Sequence, residues 1–470
     1  FDLLTQVPRP SGHLEKVQKF LLDWAKEKGV AAFQDEAGNI IMRKPATPGM
    51  EDRKYVTLQG HMDMVPQKTP DSPHDFENDP IETYIDGEWV RARNTTLGAD
   101  DGMAVATIMA IMEDDSLPHG PIEGFITADE ETTMWGVNHM KPDVLEGEIL
   151  LNLDNEDEGE MVIGSAGGVN LTATLEYKEV ETDASDAAVK VTLSGLLGGH
   201  SGCEIQVGRC NANKTMARLV QDAIANFEAC LVSWKGGNMR NAIPREAEVV
   251  LTLPKENVSA LAEAVAEWKE TFQAEYGFIE PSLSLTMEEV AHAETMVPSG
   301  VQDNLVNAIC AAHNGILRYI PDVPGIVETS SNLAVVDIGS GKAEVLILIR
   351  SSRDSMRECL VETLESAFSM AGMKVETGGE YPAWQPNPKS EIVELMQEIY
   401  RDMFHKENKV LVIHAGLECG VIGAHRPHMD LVSFGPTLRS PHTPNERCHI
   451  PSVEKYWDFV KEILVRIPKK

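Results

Sequence analysis

Five short segments of this chain carry imidazole and carboxylate groups at spacings that could do chemistry. They are YVTLQGHMD with His61 and Asp63, LGADDG with Asp100, EGFITADEE with Asp129, Glu130 and Glu131, EILLNLDNEDEGE with Asp154, and MDLVSFGPTLRSPHTPNE with His442. Each has an ordinary explanation when taken alone. An HxD triplet is most often a hydrogen-bonded turn. ADDG before a helix is usually a cap, since Asp at a helix start suits the dipole. A Glu-Glu pair is usually a solvated loop, and the acidic run around Asp154 a solvated surface. A His in a Ser/Pro loop usually does nothing. Together they form a pattern: four of the five follow directly on apolar, strand-like runs. Open α/β sheets bind ligands outside the carboxyl ends of their strands.

The donors are imidazole and carboxylate without sulfur. That set suits Zn²⁺, Mn²⁺ or Co²⁺ with open positions better than a structural zinc. Five ligands, three of them carboxylates, are too many for one catalytic zinc. They fit two metals ~3.5–4 Å apart that share a bridging carboxylate.

The elements that must position these groups read as follows. Residues 11–29 form an amphipathic helix, with Ser11 as cap, a stripe of Leu14, Val17, Phe20, Leu21 and Trp24, and Gly29 as its end. Buried strands are expected at 55–58, 124–128 and 148–153, and a helix apolar on all sides at 103–112. This alternation predicts a mixed, largely parallel sheet between helices. The texture changes near 163–169 (IGSAGGV). Beyond it, strands alternate apolar and polar residues, as in 171–177 and 188–193, which predicts an antiparallel sheet with one solvated face. Strands at 247–253, 282–289 and 344–351 and helices at 212–227, 260–276 and 358–372 continue it, as two βαβ-like halves. After the Pro-rich stretch 381–388, the α/β texture returns with a helix at 391–404 and strands at 409–414 and 429–434. The expected organisation is a catalytic domain of residues 1–167 and 383–470, interrupted by an α+β lid domain of residues 168–382.

Composition bounds the rest. The chain has 470 residues, enough for two or three domains. Its formal charge of −33 argues against nucleic acid and anionic membranes as partners. Seven cysteines, an odd number without a CxxC pair, argue against a disulfide scaffold and for a cytoplasmic location. No apolar run reaches the ~18–20 residues that span a bilayer. The opening residues do not read as a signal peptide.

HMDMV, LGADDG, ADEE, NLDNEDEGE, GGHSG and SPHTPNE, in this order, resemble the co-catalytic zinc peptidases related to carboxypeptidase G and bacterial peptidase T. With the long insert, the set is most similar to the branch of aminoacyl-histidine and cytosol nonspecific dipeptidases. The resemblance implies two divalent ions, zinc first, with manganese or cobalt as alternatives. His61 and Asp154 would bind one, Glu131 and His442 the other, and Asp100 would bridge them. Asp63 would orient His61. Glu130 would be the general base. A cis peptide is implied at Asp100–Asp101. His200 in GGHSG would stabilise the tetrahedral oxyanion. Asn241 in NAIPRE and Arg350 in LILIRSSRDS would hold polar groups of the substrate, Arg350 gripping a terminal carboxylate. Gly416 falls where relatives carry a Gly-Gly-Thr-Asp loop, but Leu417 and Glu418 depart from that pattern. His414 would line the pocket or be packed.

The reaction implied is hydrolysis of unblocked dipeptides, Xaa-His or of broad specificity, by a protein that could pair as a homodimer. The rivals are a tripeptide aminopeptidase, an N-acyl amino acid amidohydrolase, and a non-catalytic peptide- or metal-binding protein.

Overall fold

The protein is described by a computed structural model covering residues 1–321, 325–387 and 389–470. Pro388, the end of the Pro-rich stretch, lies outside the described residues. The chain divides into two compact units. One comprises Phe1–Ser165, Trp384–Val412 and Leu417–Lys470; the other comprises Ala166–Ala383 and Ile413–Gly416. The second unit is thus inserted in the sequence of the first.

Among the described residues, eight strands form the large sheet of the first unit. Their order is Ala31–Gln34, Ile40–Lys44, Ile122–Thr127, Val56–His61, Ile149–Asn152, Asp430–Ser433, Glu160–Ser165 and Lys409–Ile413. The four central ones, from Ile122–Thr127 to Asp430–Ser433, run parallel. Strand Ile40–Lys44 joins antiparallel, so the sheet is mixed. The parallel strands are almost wholly buried, as a sheet covered on both faces requires. Helices Glu15–Lys28, Ala99–Glu113, Glu391–Phe404 and Ile450–Arg466 pack into the same core. Helix Ala99–Glu113 is buried nearly all round, which explains its lack of a polar face.

One local expectation fails. The first long helix begins at Glu15, its N-cap is Leu14, and no side chain caps it. Ser11 lies four residues upstream, and its hydroxyl donates to Asp63 instead, at 2.8 Å. Gly29 does end the helix, with φ of 72°.

In the inserted unit, nine strands form one sheet among the described residues, and its ladders are antiparallel throughout. Strand Ala187–Ser194 alternates buried and half-buried positions, the mark of a sheet with one core face. Helices Ala212–Phe227, Val258–Tyr276, Ser299–Ala311 and Asp354–Met370 contribute to the core on that face. Helices Ala212–Phe227, Val258–Tyr276 and Asp354–Met370 each nevertheless join two strands that run parallel to one another, with one antiparallel strand of the sheet lying between them.

Among the described residues, no helix is long and apolar enough to cross a membrane. All seven cysteines are free.

Candidate active site

The four parallel strands deliver the site from their carboxyl ends. His61 is the last residue of Val56–His61. Glu130 and Glu131 follow Ile122–Thr127, and Asp154 follows Ile149–Asn152. His442 comes from further out. It sits in the loop of a small hairpin, Leu438–Arg439 with Arg447–His449, that follows strand Asp430–Ser433. Asp100 enters from the turn that opens helix Ala99–Glu113, where the Asp100–Asp101 peptide is cis. His442 and Asp129 hold φ of 58° and 55°, a region such residues seldom adopt. Asp129 itself is a loop staple, accepting from the Gly12 N–H at 2.7 Å and the Thr132 hydroxyl at 2.5 Å.

Five of these side chains, His61, Asp100, Glu131, Asp154 and His442, converge. His61 Nε2 lies 3.1 Å from Asp100 Oδ1 and 3.7 Å from Asp154 Oδ1. His442 Nε2 lies 3.0 Å from Asp100 Oδ2 and 3.0 Å from Glu131 Oε1. Donor atoms bound ~2 Å from one ion lie ~3–3.5 Å from each other, so these spacings match coordination. Two groups could each hold an ion: His61, Asp100 and Asp154, and Asp100, Glu131 and His442. Asp100 belongs to both, one oxygen facing each histidine. A third group, His61 with Glu130 and Glu131, brings Glu130 to the same place.

The electrostatics test whether cations fit. Burial pushes the Glu130 and Asp154 carboxyls well above their ordinary range, and neighbouring carboxylates push the same way against the opposing pull of His61. Burial and Asp100 raise Glu131. Burial also raises Glu156, to about 8, with Asp100 adding to it. The bases answer in kind. Burial disfavours protonated His442, yet Asp100 and Glu131 push it up to about 11. His61 is likewise held well above its usual value by Asp154, Asp100 and Asp63, against burial. Among the proposed ligands Asp100 alone goes down: burial would raise it, but both imidazoles outweigh that. Negative charge is in excess in this largely buried site, where carboxylate oxygens and imidazole nitrogens face one another. Divalent cations fit this set.

Asp63 does two jobs. Its Oδ1 lies 3.4 Å from His61 Nδ1. Its carboxylate also accepts the backbone N–H groups of Glu130 at 3.0 Å and Glu131 at 3.2 Å. Burial would raise it, but the His61 ring, Ser11 and the Glu130 N–H hold it low.

The other predicted residues, His200, Asn241, Arg350 and Gly416, belong to the inserted unit. There, strand Gly199–His200 pairs with Ala242–Ile243, beside Asn241. His200 Nδ1 accepts the N–H groups of Gly202 at 3.2 Å and Cys203 at 3.0 Å, which leaves the ring proton on Nε2. Arg350 is buried, and its Nη1 donates to the Tyr381 hydroxyl at 2.6 Å. Gly202 sits between them: a Cβ there would lie 3.1 Å from both Arg350 Nε and His200 Cε1, and 2.2 Å from the His414 carbonyl. His414 is buried and packed, its Nε2 2.7 Å from the Ser330 hydroxyl. Asn241 is exposed and Gly416 half-buried.

Several buried groups escape sequence reasoning. Glu418 accepts from Gln59 Nε2 at 2.5 Å and Thr127 Oγ1 at 2.7 Å, and Asn152 donates to Gln59 at 2.5 Å. One acid thereby links the three strand ends that precede His61, Glu130 and Asp154. Glu446 accepts four backbone N–H groups, and Arg9 donates to three carbonyls. Glu446 lies inside SPHTPNE, a signal that could have found it. Arg9 has none beyond its place near the Ser11 turn.

The model for peptidase family M20/M25/M40 matches residues 57–466. The chain is 42% identical over 470 residues to the cytosol non-specific dipeptidase of Escherichia coli (strain K12), covering 100% of this chain and 97% of that protein. Its structure is similar to that of the aminoacylhistidine dipeptidase from Vibrio alginolyticus, with a TM-score of 0.86 and 42% identity over 100% of this chain and 96% of that one. A more distant likeness, in fold alone, is to the aminopeptidase PepT from Bacillus cereus, with a TM-score of 0.57 and 16% identity over 99% and 96% of the two chains.

Proposed function

This chain belongs to peptidase family M20/M25/M40, and from that footing we propose that it is a metallo-dipeptidase acting on unblocked dipeptides, Xaa-His or of broad specificity. The observation that carries the reading is Asp100. Its two oxygens face two different histidines at 3.1 and 3.0 Å, each completed by a further carboxylate. His61 and Asp154 would hold one ion, Glu131 and His442 the other, and Asp100 both. Zinc is the first choice, with manganese and cobalt suited to the same donors. Bound there, the ions supply Lewis acidity to the scissile carbonyl and to the attacking water.

The chain's own groups do the rest. Glu130 takes a proton from the attacking water and later delivers it to the leaving amine. Its high proton affinity suits the second step, and the bonds from its backbone to Asp63 fix its place. Asp63 keeps His61 in one orientation. In the inserted unit, His200 carries its proton on Nε2, the form that donates to an oxyanion. Arg350, already held by Tyr381, suits a substrate carboxylate, with Asn241 and Gly416 as further substrate contacts. Free thiols and the name of the curated relative support a cytoplasmic location. We also propose a homodimer.

Assaying an Xaa-His dipeptide, a dipeptide without His, a tripeptide and an acetylated amino acid side by side tests the reading. Cleavage of the dipeptides is expected. Turnover of the acetylated amino acid alone, or of the tripeptide alone, would overturn it.

A further inference from the structure

We infer that Glu446 is a positioning residue for the metal ligands, setting the Asp100 turn against the His442 loop through a single carboxylate. The inference rests on the metal-binding reading of Asp100 and His442.

Glu446 lies four residues after His442, in the same hairpin loop, and is 2% exposed. Its Oε2 accepts the N–H groups of Leu97 at 2.7 Å and Gly98 at 2.9 Å. Its Oε1 accepts those of Ala99 at 2.7 Å and Asp100 at 3.2 Å. Four consecutive amides thus point at one carboxylate. Their need for a partner is local. The first N–H groups of a helix have no intrahelical acceptor. Here the N-cap is Gly98, which has no side chain to offer, and Asp100 and Asp101 depart from helical φ/ψ. A distant anion takes the place of the missing cap, and the helix dipole favours its charge.

The same turn is gripped from its other side. The Arg9 guanidinium donates to the Gly98 carbonyl, and to those of Met62 and Asp63 at 3.0 Å each. Gly98 is therefore the point where three segments meet: the one bearing His61, the one bearing Asp100 and the one bearing His442. Its φ of 70° favours glycine, and a Cβ would lie 2.7 Å from both Arg9 Nη2 and Met64 Sδ. The aim of the Asp100 carboxylate depends on this junction. If the turn shifts against the hairpin loop, the 3.0 Å approach of Asp100 Oδ2 to His442 and the 3.1 Å approach of Oδ1 to His61 change together.

Glu446→Gln isolates the effect. The side chain keeps its shape, but one acceptor oxygen becomes an NH₂ facing two N–H groups. Wild type and variant are stripped with a chelator; one sample of each is melted to read Tm, and a separate folded sample is titrated with manganese alone by calorimetry. Manganese affinity in E446Q is expected to fall roughly 10- to 100-fold, as for other groups that hold metal ligands in place. The amides of residues 97–100 are expected to exchange faster with solvent. Ile463→Val, a core truncation in helix Ile450–Arg466, controls for general destabilisation; it is expected to lower Tm and leave manganese affinity unchanged. Wild-type affinity in E446Q, or equal losses in E446Q and I463V, would overturn the inference. If E446Q does not fold, Glu446→Asp keeps the charge but reaches only one pair of amides, and the same loss is expected of it. If the wild type itself binds no manganese, zinc or cobalt, the metal reading fails. The clamp is then judged by exchange alone, and unprotected amides at 97–100 in the wild type would refute it.

Discussion

In the unit that carries His61 and His442, carboxylates outnumber the bases they face. In the inserted unit, the polar cluster around Gly202 is built from imidazole, guanidinium and hydroxyl groups: His200, Arg350, His414, Tyr381 and Ser330. Most of the shifted acids in the first gain proton affinity, whereas the shifted imidazole of the second loses it. Burial and mutual repulsion raise Glu130, Glu131 and Asp154. Burial beside Arg350 lowers His414 to about 3. The first cluster lacks positive charge, so it suits cations. The second has one permanent positive charge and a neutral neighbour, so it suits an anion or a developing oxyanion. Each arrangement costs its own unit something without a partner, and the partners expected are different.

The largest expected effect separates the two clusters by their need for metal. Chelation should abolish dipeptide hydrolysis. It should also lower the melting temperature of the unit bearing the acidic cluster, by the linkage of ~2.7 kcal/mol that a ligand at a hundred times its Kd provides. Calorimetry with and without manganese reads this directly. An equal loss in the inserted unit would break the contrast. Next comes Glu130→Ala, which removes the base without removing a primary ligand. A drop in kcat of ~10²–10⁴-fold is expected, with metal content unchanged by elemental analysis. Loss of both metals together with activity would mean that Glu130 belongs with the ligands.

The sequence made one of these clusters more legible than the other, and the reason is physical. Buried parallel strands are continuous apolar runs, so a polar residue at their ends stands out; His61, Glu130 and Asp154 were found that way. The helix at 212–227 and the strand at 247–253 were equally plain, because their periodicity is undisturbed. Ser11 misled, since Ser before an apolar stripe usually caps, whereas here it serves Asp63 across 52 positions. Long-range partners leave no such periodic trace. Glu418 meets Gln59 over 359 positions and Glu446 meets Leu97 over 349. Strand Val327–Gly339 leaves no strand-like trace in the sequence: its first half, VETSSN, is polar, yet Glu328, Thr329, Ser330, Ser331 and Asn332 are all buried. Those residues hydrogen-bond laterally to His313, His414, Ser351 and the Ala242 carbonyl, contacts that no pattern along the chain encodes.

A third change probes the basic cluster. Arg350→Met should raise KM for dipeptides by roughly 10- to 100-fold, from the ~1.5–3 kcal/mol that a hydrogen bond to a charged group contributes. A dipeptide with an amidated carboxyl end should lose little by comparison. Tyr381→Phe removes only the hydroxyl that holds Nη1, so a smaller rise is expected. If the amidated and free peptides lose equally, Arg350 does not meet the carboxylate, and the inserted unit's positive charge has another purpose.

The smallest effect lies in acid stability. Unfolded His414 binds a proton near pH 6.5, but folded His414 only near 3, because burial and then Arg350 oppose the charge. Above the unfolded value neither state is protonated, and His414 contributes no pH dependence. Between the two values the unfolded chain binds more protons, so stability falls as pH falls. By about pH 5 the loss from this one group approaches ~2 kcal/mol. His414→Gln can still hydrogen-bond Ser330 but does not titrate, so it should flatten that part of the curve. Urea unfolding of wild type and H414Q, at neutral pH and near pH 5, measures the difference. Parallel curves would show that His414 takes up its proton without unfolding, and that the cluster around Gly202 tolerates a second positive charge beside Arg350.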